Sequence, residues 1–137
     1  MADLYQSVIV DHDHSPRNFR VLPAPSHRAE GRNPLCGDEV SVELAVDAEQ
    51  RITDIAFQGS GCAVSRASAS MMTTALRGKT LAEADVLFEQ FHAMVMTGAE
   101  AAPELGKLAA FRGIAGFPMR VKCATLAWHA MRKAVNG

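Results

Sequence analysis

The sequence predicts an α+β fold, in which a small antiparallel sheet of about three strands is packed on one side by several helices. The evidence is a predicted helix at the start, two adjacent strand patterns before residue 60, and helical periodicity through most of the remainder. Because strands and helices are segregated along the chain, an α+β arrangement is favoured over a parallel α/β sheet. A length of 137 residues suits one domain spanning 1–137.

The first half supplies one helix and the strands. Asp3 with Gln6 predicts a helix start, and the Ser15–Pro16 pair predicts its end. Four prolines make 16–35 a predicted loop, with a short edge strand around 27–30. Alternation of apolar and polar residues predicts a strand over 40–46, and β-branched residues predict its hairpin partner over 52–57.

The second half is predicted to be helical. An apolar stripe predicts a helix over 62–77, with Gly78 in position to end it. Thr80 and Glu83 form a capping-box pattern that predicts the start of the next helix. Pro103 predicts a short helix to 108, and a link over 113–117 then precedes a last helix from Pro118 to about 135.

Composition narrows the classes of function. The formal net charge of -1 argues against a broad nucleic-acid interface. No segment has the length and apolar character of a membrane span, and the N-terminus lacks the pattern of a signal peptide. We therefore expect a cytoplasmic protein without nucleic-acid or membrane partners, whose thiols are kept reduced.

Three cysteines, Cys36, Cys62 and Cys123, each fall at the end of a predicted element. Their odd number argues against structural disulfides. Asp38 follows Cys36 by two positions, so an extended backbone would point both side chains the same way and provide half of a tetrahedral zinc site. Cys62 is expected at a helix N-terminus, where free amides favour a thiolate.

Arg120 lies one turn before Cys123 on the same predicted helix face, and its charge could offset that of clustered thiolates. Spacing alone leaves simpler interpretations open. The cysteines could be inert core residues, and Arg120 could extend into solvent. The segment 11–14 (DHDH) is predicted to be a solvated face rather than a metal site.

Taken together, the motifs resemble the U-type iron–sulfur assembly proteins, and more closely their SufU branch. Three stretches carry the resemblance: 33–38 (NPLCGD), 59–65 (GSGCAVS) and 120–128 (RVKCATLAW). The segment 4–18 also looks like the opening of this family, so the likeness covers essentially the whole chain.

The SufU branch is favoured by departures from the scaffold-type IscU pattern. Lys122 stands where IscU proteins carry a histidine before the third cysteine, and 117–122 (FPMRVK) differs from their Leu-Pro-Pro-Val-Lys motif. SufU-like chains carry an arginine where Arg120 stands, and an additional segment between the second and third cysteines that residues around 85–110 resemble.

The resemblance implies a zinc site made of Cys36, Asp38, Cys62 and Cys123. It also implies a SufS-type cysteine desulfurase as partner, which brings its own pyridoxal phosphate, and downstream iron–sulfur assembly proteins. By analogy, a histidine of the desulfurase replaces Cys36 on zinc, and the freed thiolate accepts the persulfide sulfur. Arg120 would offset the charge of the site or contact the incoming sulfur.

Two alternatives stand beside this zinc-dependent sulfurtransferase. The first is a scaffold that assembles a [2Fe–2S] cluster on the same four residues, with iron in place of zinc. The second is a non-catalytic binding module that zinc merely stabilises.

Overall fold

A computed structural model describes residues 2–34 and 37–136, with side chains from Ser7 onward. The elements follow in the order α1 (Ala2–His14), β1 (His27–Asn33), β2 (Asp38–Val46), β3 (Ile52–Ser60), α2 (Ala63–Leu76), α3 (Leu81–Thr97), a 3-10 helix (Pro103–Ile114) and α4 (Pro118–Asn136). A three-stranded sheet followed by several helices confirms the predicted α+β class.

The sheet is antiparallel with the strand order β1-β2-β3. Alternate residues of β2 are buried, with Val42 and Leu44 fully enclosed, as the period-two pattern predicted. β1 is longer than predicted because it pairs with β2 along its whole length, as far as Asn33 opposite Asp38. This pairing brings the start of β2 to Asp38.

The helices supply the other layer of the core. α4 packs on β1 and β2, whereas α2 packs on β3 and is itself contacted by α1 and α4. Trp128 of α4 stacks on Phe91 of α3 with ring centroids 4.6 Å apart. Along the described residues, no helix combines the length and apolar character that a membrane crossing requires.

The predicted helix boundaries are confirmed where a local signal fixes them. Thr80 and Glu83 form both hydrogen bonds of the capping box at the start of α3. The short helix predicted from Pro103 to 108 instead continues to Ile114 as a 3-10 helix, interrupted at Gly106 with φ 53°. The predicted link before α4 is correspondingly shorter.

The prediction that the 11–14 segment is a solvated face is wrong for His12. Its side chain is buried at the end of α1, with Nδ1 2.7 Å from Ser70 Oγ of α2. The backbone N–H of Arg17 also donates to Ser70 Oγ, at 2.8 Å. Packing of α1 against α2 thus buries a histidine that was predicted to be exposed because its neighbours in the sequence are acidic.

Candidate metal centre

Three of the predicted ligands converge at one end of the sheet. A carboxylate oxygen of Asp38 and the sulfurs of Cys62 and Cys123 all lie within 4.8 Å of one another. These residues come from β2, the start of α2 and the second turn of α4, so the fold unites positions far apart in sequence. Cys36, the fourth predicted ligand, lies outside the described residues.

Asp38 is the best anchored of the three. It is only 1% exposed, and its Oδ1 accepts a hydrogen bond from the backbone N–H of Cys62 at 2.9 Å. Its second oxygen, Oδ2, lies 3.7 Å from Cys62 Sγ. One carboxylate therefore fixes the start of α2 and faces the neighbouring sulfur.

Cys62 occupies the N-cap position of α2, as the sequence predicted, and its backbone is extended there. The residue is exposed. Unpaired amides and the helix dipole at an N-terminus favour negative charge. α2 has no acidic residue in its first turn to oppose this effect.

Cys123 is buried, and α4 holds it toward α2. The Ser68 hydroxyl of α2 donates to the carbonyl oxygen of Ala124, the residue after Cys123. The same hydroxyl accepts the indole N–H of Trp128 at 3.2 Å. These hydrogen bonds fix the two cysteine-bearing helices relative to each other.

Glycines allow the close approach of the strands beside Asp38. Gly59 of β3 lies opposite Val40, and a side chain there would overlap the carbonyl group of Glu39. Gly61, two residues on, lies directly against the Asp38 side chain. The sequence pattern identified both glycines only as turn signals and missed these contacts.

The position of Arg120 on the predicted helix had suggested that it faces the core. In the structure Arg120 lies on the surface instead. Its guanidinium carbon is 4.8 Å from the centroid of the Phe117 ring. Residues 116–120 are all exposed and burial begins at Val121, because the first turn of α4 lies outside the core. Lys122 is also exposed, and no histidine joins the cluster formed by the described residues.

The donor set fits a zinc ion. Zn²⁺ in proteins prefers cysteine thiolates, histidine and carboxylate oxygens in a tetrahedron. Bond lengths of about 2.3 Å to sulfur and 2.1 Å to oxygen separate those two ligand atoms by about 3.6 Å. The observed 3.7 Å between Cys62 Sγ and Asp38 Oδ2 is close to this spacing.

Residues 4–136 match the family model described as the NifU-like N terminal domain. The chain therefore belongs to this family.

Curated relatives carry two different descriptions. The chain is 43% identical over 135 residues to the "iron-sulfur cluster assembly scaffold protein IscU" of Streptococcus pyogenes serotype M1, covering 97% of this chain and 83% of the relative. It is 42% identical over 134 residues to the "zinc-dependent sulfurtransferase SufU" of Bacillus subtilis, covering 96% and 89%.

A solved structure extends the likeness to three dimensions. The crystal structure of a protein from Fervidobacterium islandicum AW-1, described as a candidate assembly scaffold for the SUF system, superposes with a TM-score of 0.86. The two chains are 32% identical, and the match covers 93% of each.

Proposed function

We propose that this chain is a zinc-dependent sulfur acceptor for iron–sulfur cluster assembly, supplied by a cysteine desulfurase of the SufS type. The observation that carries the proposal is the convergence of Asp38, Cys62 and Cys123 within 4.8 Å. The SufU relative, at 42% identity, is described as a zinc-dependent sulfurtransferase, which supports the same activity. The cytoplasmic location remains a prediction.

The donors suit zinc, and the SufU relative, described as zinc-dependent, supports zinc over iron. Two sulfurs and one carboxylate oxygen would form three corners of a tetrahedral site, and Cys36 is the sequence's candidate for the fourth. When bound, Zn²⁺ would hold the coordinating thiols in their deprotonated form. Asp38, Cys62 and Cys123 would hold the ion from three separate elements of the fold.

Cys36 is the ligand best suited to accept sulfur. Cys123 is buried in α4, and Cys62 is fixed at the start of α2 by the hydrogen bond of its amide to Asp38. By contrast, Pro34 and Gly37, the described residues on either side of 35–36, are exposed, and Gly37 adopts φ 76°. The exposure of these two neighbours supports Cys36, in the connection between β1 and β2, as the thiol that a partner would reach.

Transfer of sulfur from the desulfurase persulfide to Cys36 requires no external oxidant. A thiolate at Cys36 attacks the outer sulfur of the persulfide on the desulfurase cysteine. A new S–S bond forms at Cys36, the old S–S bond breaks, and the desulfurase cysteine leaves as a thiolate.

Arg120, exposed near the start of α4, would contact the incoming partner or its sulfur. Downstream iron–sulfur assembly proteins would receive the sulfur.

A scaffold function on the same residues is the second candidate. It is favoured by the 43% identical relative, which is described as an IscU scaffold. The two functions differ in what the site holds, because a scaffold builds iron and sulfide on its cysteines whereas an acceptor carries sulfur on one of them. A zinc-stabilised binding module would neither build a cluster nor carry sulfur.

The proposal is tested by locating the sulfur. After incubation with a SufS-type desulfurase and cysteine, mass spectrometry of alkylated peptides should place a persulfide on Cys36. Cys36→Ser should accept no sulfur, whereas Cys62→Ser and Cys123→Ser, which also remove a proposed metal ligand, should carry on Cys36 any sulfur that they still accept. A persulfide mainly on Cys62 or Cys123, with Cys36→Ser still active, would refute the assignment.

A further inference from the structure

Gly61 immediately precedes Cys62 and lies against the Asp38 side chain. Its backbone conformation does not explain why a glycine stands at this position. Gly61 does not adopt a positive φ, so its backbone conformation is one that other residues adopt. A Cβ atom at this position would, however, overlap Asp38 Oδ1 and lie 2.7 Å from Asp38 Cγ. The space that a side chain would fill is occupied by the carboxylate.

The overlap falls on the one group that the proposed metal site requires in a fixed orientation. Asp38 Oδ1 accepts the Cys62 amide, which leaves Oδ2 facing the sulfur of Cys62. An alanine at position 61 could be accommodated by rotating this short side chain, since the overlap is with its far end. Rotation would break the amide hydrogen bond and withdraw Oδ2 from the thiol sulfur.

We infer that Gly61 is a positioning residue that orients Asp38 as a single-oxygen ligand through Oδ2, an inference that rests on the proposed metal site. The absence of a side chain at Gly61 lets Oδ1 remain on the Cys62 amide while Oδ2 is presented to the metal. Gly61 makes no contact with the ion in this role and acts through Asp38 alone.

Gly61→Ala tests this role, and the chain offers a matched control. A Cβ at Gly113 would meet no atom within 4 Å, so Gly113→Ala introduces the same methyl group without an overlap. Zn²⁺ affinity is measured by competition with a chromophoric chelator. We expect Gly61→Ala to weaken binding by about 10–100-fold, the range typical of residues that orient metal ligands, and Gly113→Ala to match the wild type.

A second readout separates positioning from a general loss of stability. With Co²⁺ as a spectroscopic probe, Gly61→Ala should shift the ligand-field bands, whereas Gly113→Ala should leave them unchanged. Equal Zn²⁺ affinity and identical Co²⁺ spectra for the two variants would overturn the inference while leaving the metal site intact. A wild-type chain that binds neither metal would overturn both the inference and the proposed function.

Failure of Gly61→Ala to fold would also be informative. Asp38→Ala removes the two atoms that a Cβ at position 61 approaches most closely and leaves the Asp38 Cβ at 3.2 Å, a contact that small shifts can relieve. Folding restored in the double variant would therefore support the inference. Continued failure of the double variant, with Asp38→Ala alone folded, would overturn the inference and show that the backbone, rather than Asp38, requires glycine here.

Discussion

Ser68 Oγ accepts the indole N–H of Trp128 at 3.2 Å, and this buried hydrogen bond joins the two helices that carry Cys62 and Cys123. The hydroxyl also donates to the carbonyl oxygen of Ala124. One serine thus satisfies a buried donor and holds α4 in the position that brings Cys123 to the candidate metal centre.

Ser68→Ala should destabilise the fold because it leaves the Trp128 N–H buried without this acceptor. An unsatisfied buried donor costs about 1–3 kcal/mol, which corresponds to a drop in melting temperature of roughly 3–10 °C for a chain of this size. Differential scanning calorimetry measures the change. Ser15→Ala, at an exposed position, is the control, and an equal melting temperature for both variants would contradict the role of Ser68.

His12 should make stability depend on pH. Burial, together with the positive charges of Arg17 and Lys107, lowers the pKa of His12, although Asp11 acts in the opposite direction. The unfolded chain, with a histidine pKa of about 6.5, then binds the proton more readily than the folded chain. Stability from this group is present above the unfolded pKa and is lost as pH falls toward the folded pKa.

Melting temperatures recorded between about pH 8 and pH 5 test this dependence. His12→Asn keeps a polar group near the position of Nδ1 but cannot titrate, so its melting temperature should fall less steeply on acidification. His14→Asn, exposed in the same helix, serves as the control. An unchanged pH profile in His12→Asn would show that His12 contributes nothing to the acid sensitivity.

Arg120 should affect sulfur transfer more than metal binding. Its guanidinium lies over the Phe117 ring on the surface, where a partner can contact it without moving the buried cysteine. Arg120→Ala should slow persulfide transfer from the desulfurase and leave zinc content near that of the wild type. Phe117→Leu should have a smaller effect in the same direction, because the ring stabilises the cation by about 0.5–1 kcal/mol.

Arg28→Ala is the matched control for this prediction, since Arg28 is exposed on a strand of the sheet and pairs with Glu30. Equal transfer rates for Arg120→Ala and Arg28→Ala would remove Arg120 from the transfer step. A parallel loss of zinc in Arg120→Ala would instead assign it to the integrity of the metal site.

The sequence predicted the elements best where a local signal fixes them. The alternation of β2 and the capping box of Thr80 with Glu83 depend on neighbouring residues only, and both are present in the structure. His12 was mispredicted because its burial depends on Ser70, a polar residue enclosed in α2 far along the chain. The core-facing position expected for Arg120 was wrong because helical periodicity does not show where the core ends.

The candidate site was predictable mainly through the family resemblance. Spacing alone gave Cys36 and Asp38 as a possible half of a metal site and left all three cysteines as possible core residues. Their convergence depends on the packing of α2 against α4 through Ser68, which no local pattern encodes. The contact of Gly61 with Asp38 was equally hidden, since a glycine before a helix usually indicates only a turn.

Removal of the metal should lower stability, because the site links β2, α2 and α4. A ligand that binds only the folded state stabilises it by about 4 kcal/mol when its free concentration is 1,000 times Kd. Chelation should therefore lower the melting temperature, and Cys62→Ala and Cys123→Ala should melt near the metal-free wild type. Unchanged melting after verified metal removal would place the site outside the cooperative fold.

Elemental analysis of the chain purified without oxygen shows whether the candidate site binds zinc. Inductively coupled plasma mass spectrometry, combined with X-ray absorption at the zinc edge, reports the metal and its ligands. We predict one zinc ion per chain with Zn–S distances of about 2.3 Å, and loss of that zinc in Asp38→Ala combined with Cys62→Ala. Iron with acid-labile sulfide in place of zinc, or a chain that binds no metal, would contradict it.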